Sequence, residues 1–242
     1  MWYGWVNIAK KSGEELKEAV PAEPKKEPLI LIEADQLKKC CPSMSIQRAS
    51  IMADLINRLF PKYGIVTHDT LHEPLANFIQ ESLEFQYKVE NMYYKPFTLI
   101  QVWPSRFYLN KPVKGKYNAN DYARNPKKLA NLVYGGRMGN IPGTDDGWNF
   151  RGSGFVGLTG RATLTAYSDF KGFATPEEGA EFARNSDHGA LDSALWFFCV
   201  LKDLIDEAER DEFSSIVKEI NGGYIGMKDR KLYYDRVKQF VT

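Results

Sequence analysis

The chain has 242 residues, 43% of them hydrophobic and 26% charged, with a formal net charge of +1 at pH 7. A chain of this size and composition is an ordinary soluble globular domain that buries its own core without disulfide or metal support. The balanced charge excludes a global electrostatic footprint for nucleic acid, and no run of about 18 apolar residues reads as a membrane span.

In chain order, the opening MWYGWVNIAKK lacks the basic lead and long apolar core of a secretory signal. Synthesis in the cytoplasm is therefore expected, with any action outside it depending on another factor. Residues 9–28, AKKSGEELKEAVPAEPKKEP, hold five lysines, five glutamates and three prolines with few large apolar groups. Such a segment cannot bury enough surface to offset its ordering entropy, so it reads as a tether behind an aromatic tip of Trp2, Tyr3 and Trp5. Residues 1–28 are thus an appendage and 29–242 the compact domain, expected to be a monomer. Cys40, Cys41 and Cys199 are expected as free thiols. His68 and His72 are four apart, but Pro74 interrupts any HExxH-like pattern, so no metal centre is expected.

Met52, Leu55, Ile56, Leu59 and Phe60 follow helical spacing and predict a helix closed at Pro61. A second helix is expected over about residues 71–84. Its inner stripe is Leu71, Leu75, Phe78, Ile79 and Ser82, with Pro74 tolerable only in its first turn. Beyond it the period changes to two: Phe85, Tyr87 and Val89 alternate with Gln86, Lys88 and Glu90, which predicts a short strand or extended loop. A short helix should start near Pro126, and nine glycines between Gly135 and Gly160 predict loops with close backbone contacts. Leu191, Ala194, Leu195, Phe198 and the run from Leu201 to Ile205 predict one long apolar-faced helix. Another helix covers about 212–219 and ends at Gly222-Gly223, and a last one runs to Phe240. The expected fold is mainly α, with a small extended, glycine-rich lobe inserted between helices.

The stretch FIQESLEFQYKVENMYY, residues 78–94, places Glu81 and Glu90 nine positions apart. On one continuous helix they would be separated by a rise of about 13.5 Å and point to opposite faces. If the helix stops near Glu84 and the chain turns back, they can face each other across a groove. Cleavage of a glycosidic bond needs a carboxylic acid to protonate the leaving oxygen and a carboxylate to act as base or nucleophile. A gap of roughly 6.5–9.5 Å admits the attacking water and leads to inversion. Glu81, beside an apolar stripe, suits the acid; Glu90, flanked by Asn91, Tyr93 and Tyr94, suits the base. Glu73 and Glu84 read as surface charges.

Six stretches follow in order: FIQESLEF, ENMYY, VWPSRF, YARNPKKLANLVYGGRMGN, DGWNFRGSGFVGLTGR and INGGYIGMKDR. Together they resemble the catalytic domain of family 19 glycoside hydrolases, in the compact form of phage endolysins and bacterial chitinase-like proteins, over about residues 30–240. The resemblance implies a lysozyme-like α+β fold with a cleft between two lobes. It also implies inverting, cofactor-free hydrolysis of β-1,4-linked N-acetylhexosamine polymers. By position, Glu81 matches the general acid, Glu90 the general base, and Thr159 the hydroxyl that helps hold the attacking water. Asn221 and Arg230 fall at cleft positions. Each has a plainer alternative: a turn for Thr159, a helix terminator for Asn221, and a surface cation or internal salt-bridge partner for Arg230. Tyr93, Tyr94, Trp103 and Trp148 could stack on sugars or simply fill core.

The chain departs from the family pattern at Gln80, where His is usual before the acid, and at Ser153, Gly157 and Thr163 in the glycine-rich motif. Gly157 and Thr163 replace side chains expected to bond sugar amides or the water, which puts the substrate in question more than the fold. Three functions remain open on the sequence. The leading one is a peptidoglycan-cleaving endolysin, released through the membrane by another factor or carried in a phage particle. The others are a chitinase, and a glycan-binding or virion structural module weakened in turnover.

Overall fold

The computed structural model describes residues 29–242, and the aromatic tip and tether expected over residues 1–28 lie outside the described residues. The chain is mainly helical. Helices α1 (Ala34–Cys40), α2 (Ile46–Leu59) and α3 (His68–Glu81) come first, followed by α4 (Pro96–Val102) and two parallel two-residue strands, β1 (Phe107–Tyr108) and β2 (Tyr117–Asn118). Helices α5 (Pro126–Tyr134), α6 (Asp146–Asn149), α7 (Arg161–Lys171), α8 (Pro176–Asn185) and α9 (Asp187–Trp196) come next. The described chain closes with α10 (Ile205–Glu209), α11 (Phe213–Asn221) and α12 (Met227–Phe240). This is the mainly α chain that the apolar periods predict, and the lysozyme-like class that the resemblance implies.

Three apolar clusters organise these elements. The largest gathers the inner faces of α1, α2, α3, α9, α11 and α12, around Met52, Ile56, Phe78, Phe198 and Val217. A second, smaller one joins α4, β1 and α5 through Leu99, Phe107, Leu129 and Val133. The third lies under α7 and α8, around Phe150, Leu164, Tyr167 and Trp196. The second cluster is the small lobe, and the chain enters it just after Glu90.

Local structure departs from the sequence expectation at several informative places. Helix α3 starts at His68 because the Thr67 side chain accepts from the Thr70 amide at 3.2 Å and Thr70 returns a bond to the Thr67 amide at 3.3 Å. This capping box begins the helix three residues before its apolar stripe. Pro74 therefore sits in the second turn rather than the first, and its missing N–H leaves one bond of the helix ladder unmade. The helix also stops at Glu81, short of Glu84.

Two glutamates expected on the surface are buried. Glu73 is 0% exposed because its position on α3 turns it inward, toward α12. Glu84 is 8% exposed because a backbone reversal turns it into the protein. The alternation expected from Phe85 also fails, since Phe85 is buried and Tyr87 exposed across that reversal; only Val89 pairs as a bridge, antiparallel to Ser153. The long helix expected from Leu191 to Ile205 is broken. After Trp196 the chain widens into one π-helical stretch, Phe197–Leu201, which inserts an extra residue per turn and leaves Leu201 45% exposed.

The cysteines are free and buried. No described helix is long and apolar enough to cross a membrane.

Candidate active site

Glu81 is the last residue of α3, and the way that helix ends decides where Glu81 points. The Ser82 hydroxyl donates to the Phe78 carbonyl at 2.5 Å and accepts from the Phe85 amide at 2.8 Å. The Glu84 amide then reaches back to the Ile79 carbonyl at 2.7 Å. Leu83, Glu84 and Phe85 all take left-handed backbone conformations, with φ of 49°, 60° and 60°. Each such non-glycine residue costs about 1–3 kcal/mol, so the surroundings must hold the turn.

Glu84 supplies much of that hold. Its Oε2 accepts from the Ser43 amide at 2.7 Å and the Ser43 hydroxyl at 2.5 Å, and its Oε1 accepts from Tyr233 at 3.2 Å. Arg48 donates to the Phe85 carbonyl at 3.1 Å while pairing with Asp187, which also receives Lys88 at 3.0 Å. The Arg48 guanidinium, aided by Lys88, brings the Asp187 carboxyl down to about 2 against the effect of burial.

Glu90 is positioned by backbone pairing instead. Its amide donates to the Gly152 carbonyl at 2.9 Å, and the Gly154 amide donates to the Lys88 carbonyl at 2.8 Å. Ser153 bridges Val89 on one side and Leu158 on the other. The Glu90 carboxylate accepts from the Tyr134 hydroxyl at 2.6 Å and the Gly152 amide at 3.2 Å. Burial and the adjoining carboxylate push the Tyr134 phenol up, so it remains a proton donor to Glu90. A Cβ at Gly152 would meet the Glu90 Cβ at 3.0 Å, so the close approach of this backbone depends on glycine.

Arg230, on α12 and 3% exposed, ties three elements together. Its guanidinium donates to Asn77 Oδ1 at 2.7 Å, to Asn221 Oδ1 at 3.0 Å, and to Glu81 Oε1. The Asn221 amide donates in turn to the Ile225 carbonyl at 3.4 Å. The Glu81 side chain is 28% exposed, so this pair stands at the edge of solvent. Gln80 lies beside it, and its buried Oε1 has no hydrogen-bond partner among the described residues.

Glu81 and Glu90 line one cleft of about 440 Å³, which also takes in Leu83, Tyr87, Val156 and Gly157. The chain reversal that the change of period at Phe85 points to therefore brings the two glutamates to one cavity. Other expected residues have partners of their own. The Thr159 hydroxyl donates to the Gly157 carbonyl at 2.7 Å and stabilises that turn. Tyr94 and Trp103 meet edge to face at 5.3 Å in the small-lobe cluster, and burial, helped by the nearby Glu90 carboxylate, pushes the Tyr94 phenol up. Trp148 is covered by the Arg151 guanidinium at 3.6 Å. Ser153 is buried, its hydroxyl donating to the Arg151 carbonyl at 2.8 Å. Among the described residues no three potential metal ligands gather, and His72 is engaged with the Val241 carbonyl at 2.9 Å.

No family model matches the chain. A protein of Haemophilus influenzae named as a glycosyl hydrolase family 19 domain-containing protein is 31% identical over 161 residues, covering 66% of this chain and 74% of the relative. The chain belongs to glycoside hydrolase family 19. Membership of a glycoside hydrolase family implies a polysaccharide substrate. In this family 19 chain the two carboxylates are held by opposite means, Glu81 by a cation and Glu90 by a phenol and an amide. The sequence did not single out Asn77, Tyr134, Leu83 or Tyr87. Tyr134 sits within a recognised stretch, YARNPKKLANLVYGGRMGN, but nothing local distinguishes it from the tyrosines around it.

Proposed function

We propose that the chain hydrolyses the β-1,4 bond between N-acetylmuramic acid and N-acetylglucosamine in peptidoglycan, with inversion. The observation that carries this reading is the single cleft shared by Glu81 and Glu90. Glu81 gives its proton to the glycosidic oxygen as the bond to C1 breaks. Water attacks C1 from the opposite face and loses its proton to Glu90. Arg230 engages Glu81 Oε1 and stabilises the carboxylate formed when the proton departs. Tyr134 and the Gly152 amide hold Glu90 in place to receive the proton of the water. The resemblance to compact phage endolysins supports peptidoglycan as the polymer. Action would then be at the cell wall, after release by another factor or from a phage particle.

Mass spectrometry of muropeptides after digestion of purified walls tests the reading, with Glu81→Gln alongside. New reducing N-acetylmuramic acid ends are expected, at a rate about 10²–10⁴-fold lower in the variant. Ends in the 1,6-anhydro form, or release of oligomers from chitin without any wall lysis, would overturn it. A second reading, a glycan-binding module with little turnover, draws on the Thr159 hydroxyl, whose proton goes to the Gly157 carbonyl rather than into the cleft. Tight glycan binding without new reducing ends would favour that reading.

A further inference from the structure

The segment joining the two carboxylates carries two exposed apolar side chains into the cleft. Leu83 is 56% exposed and Tyr87 57%, and both line the cavity that holds Glu81 and Glu90. Val89, Phe155 and Val156 extend the same apolar wall. At Gly157 there is no side chain, and a Cβ placed there would find no atom within 4 Å, so the groove is open at that point.

Folding does not account for Leu83. Its φ of 49° is a left-handed conformation that favours glycine or asparagine, and an exposed leucine gains little from burial. A bulky apolar side chain held in an unfavourable conformation at the rim of a cleft points to a ligand.

We infer that Leu83 and Tyr87 form the wall of a subsite for the lactyl ether of N-acetylmuramic acid and the first alanine of its stem peptide. The inference rests on the peptidoglycan reading above and names the feature by which that site distinguishes its substrate. Both groups present methyls, which suit a wall of leucine, tyrosine and valine. An N-acetylglucosamine unit carries a free 3-hydroxyl at the corresponding place and would lose hydration there without compensation. The opening at Gly157 leaves space for the peptide to leave the groove.

The test compares peptidoglycan strands bearing stem peptides, the same strands stripped to the bare lactyl ether by an amidase, and N-acetylglucosamine oligomers of equal length, and reads the ratios of kcat/KM between them. The wild type should prefer the peptide-bearing strands. Leu83→Asn and Tyr87→Ser should each lower that preference about tenfold, the usual value of a few apolar contacts in a specificity pocket. Asparagine is compatible with the left-handed backbone, so the denaturation midpoint of Leu83→Asn should be unchanged or raised, which separates the effect from loss of fold. A wild type with no preference, or variants that retain it, would overturn the subsite while leaving the peptidoglycan reading standing. A wild type that cleaves neither kind of peptidoglycan strand would overturn both.

Discussion

At the residue scale, Arg230 shows how much one side chain can depend on its surroundings. Its planar fork reaches Asn77, Asn221 and Glu81 together, from a position 3% exposed. A lysine is a point charge on a flexible stem and cannot satisfy three acceptors in that plane. Arg230→Lys should therefore lower kcat by about 10²-fold with little change in KM, and cost about 1–3 kcal/mol in stability, since Glu81 can still reach solvent. Steady-state kinetics on glycan strands and urea denaturation check the two parts. The sequence placed Arg230 near a cleft but left open whether it was a surface cation or an internal partner. It is internal, because α12 packs along α3, and that contact lies 149 positions away in sequence from Arg230 to Glu81. Local patterns carry no signal for such a pair.

At the element scale, the decisive feature is the reversal after α3. Its three left-handed residues have no glycine among them, so nothing in their composition marks the turn. The change of apolar period marks only that the helix stops near there. What fixes the geometry is Glu84, whose carboxylate joins Ser43 at the head of α2 to Tyr233 on α12. A glutamine amide can keep its oxygen on Ser43 and turn its NH₂ to the Tyr233 hydroxyl, but both contacts lose the assistance of the charge. Glu84→Gln should destabilise the fold by about 2 kcal/mol, the value of charge-assisted hydrogen bonds lost from a buried group. Activity at 25 °C should fall further than the unfolded fraction explains, because the turn sets the relation of Glu81 to Glu90. Thermal denaturation together with kcat/KM well below the midpoint measures both, and an activity loss that merely tracks unfolding would contradict this role. A similar lesson holds for α3 itself: its apolar stripe was readable, but its start was displaced by the Thr67 cap and its proline tolerated in mid-helix.

At the scale of the whole molecule, Glu73 links α3 to the C-terminal helices. It is fully buried, its oxygens have no hydrogen-bond partner among the described residues, and burial pushes its carboxyl up from 4.5 to about 7. Tyr234 and Asp211 adjoin it. Between those values the folded chain keeps a proton that the unfolded chain has released, so stability falls as pH rises through this window and levels off above it. The loss is on the order of 3 kcal/mol. Glu73→Gln should abolish this part of the pH dependence, seen as urea midpoints that converge at about pH 4.5 and separate at about pH 8, with the variant higher.

The helical class, the order of the main helices and the family were legible in the sequence, because apolar period, caps and motif order are local or linear properties. That Glu81 and Glu90 share a cavity, and that Glu73 and Glu84 are buried, follows from how distant elements pack together. Burial and pairing depend on which distant surfaces meet, and a carboxylate written among polar neighbours looks the same whether it faces water or a buried hydroxyl.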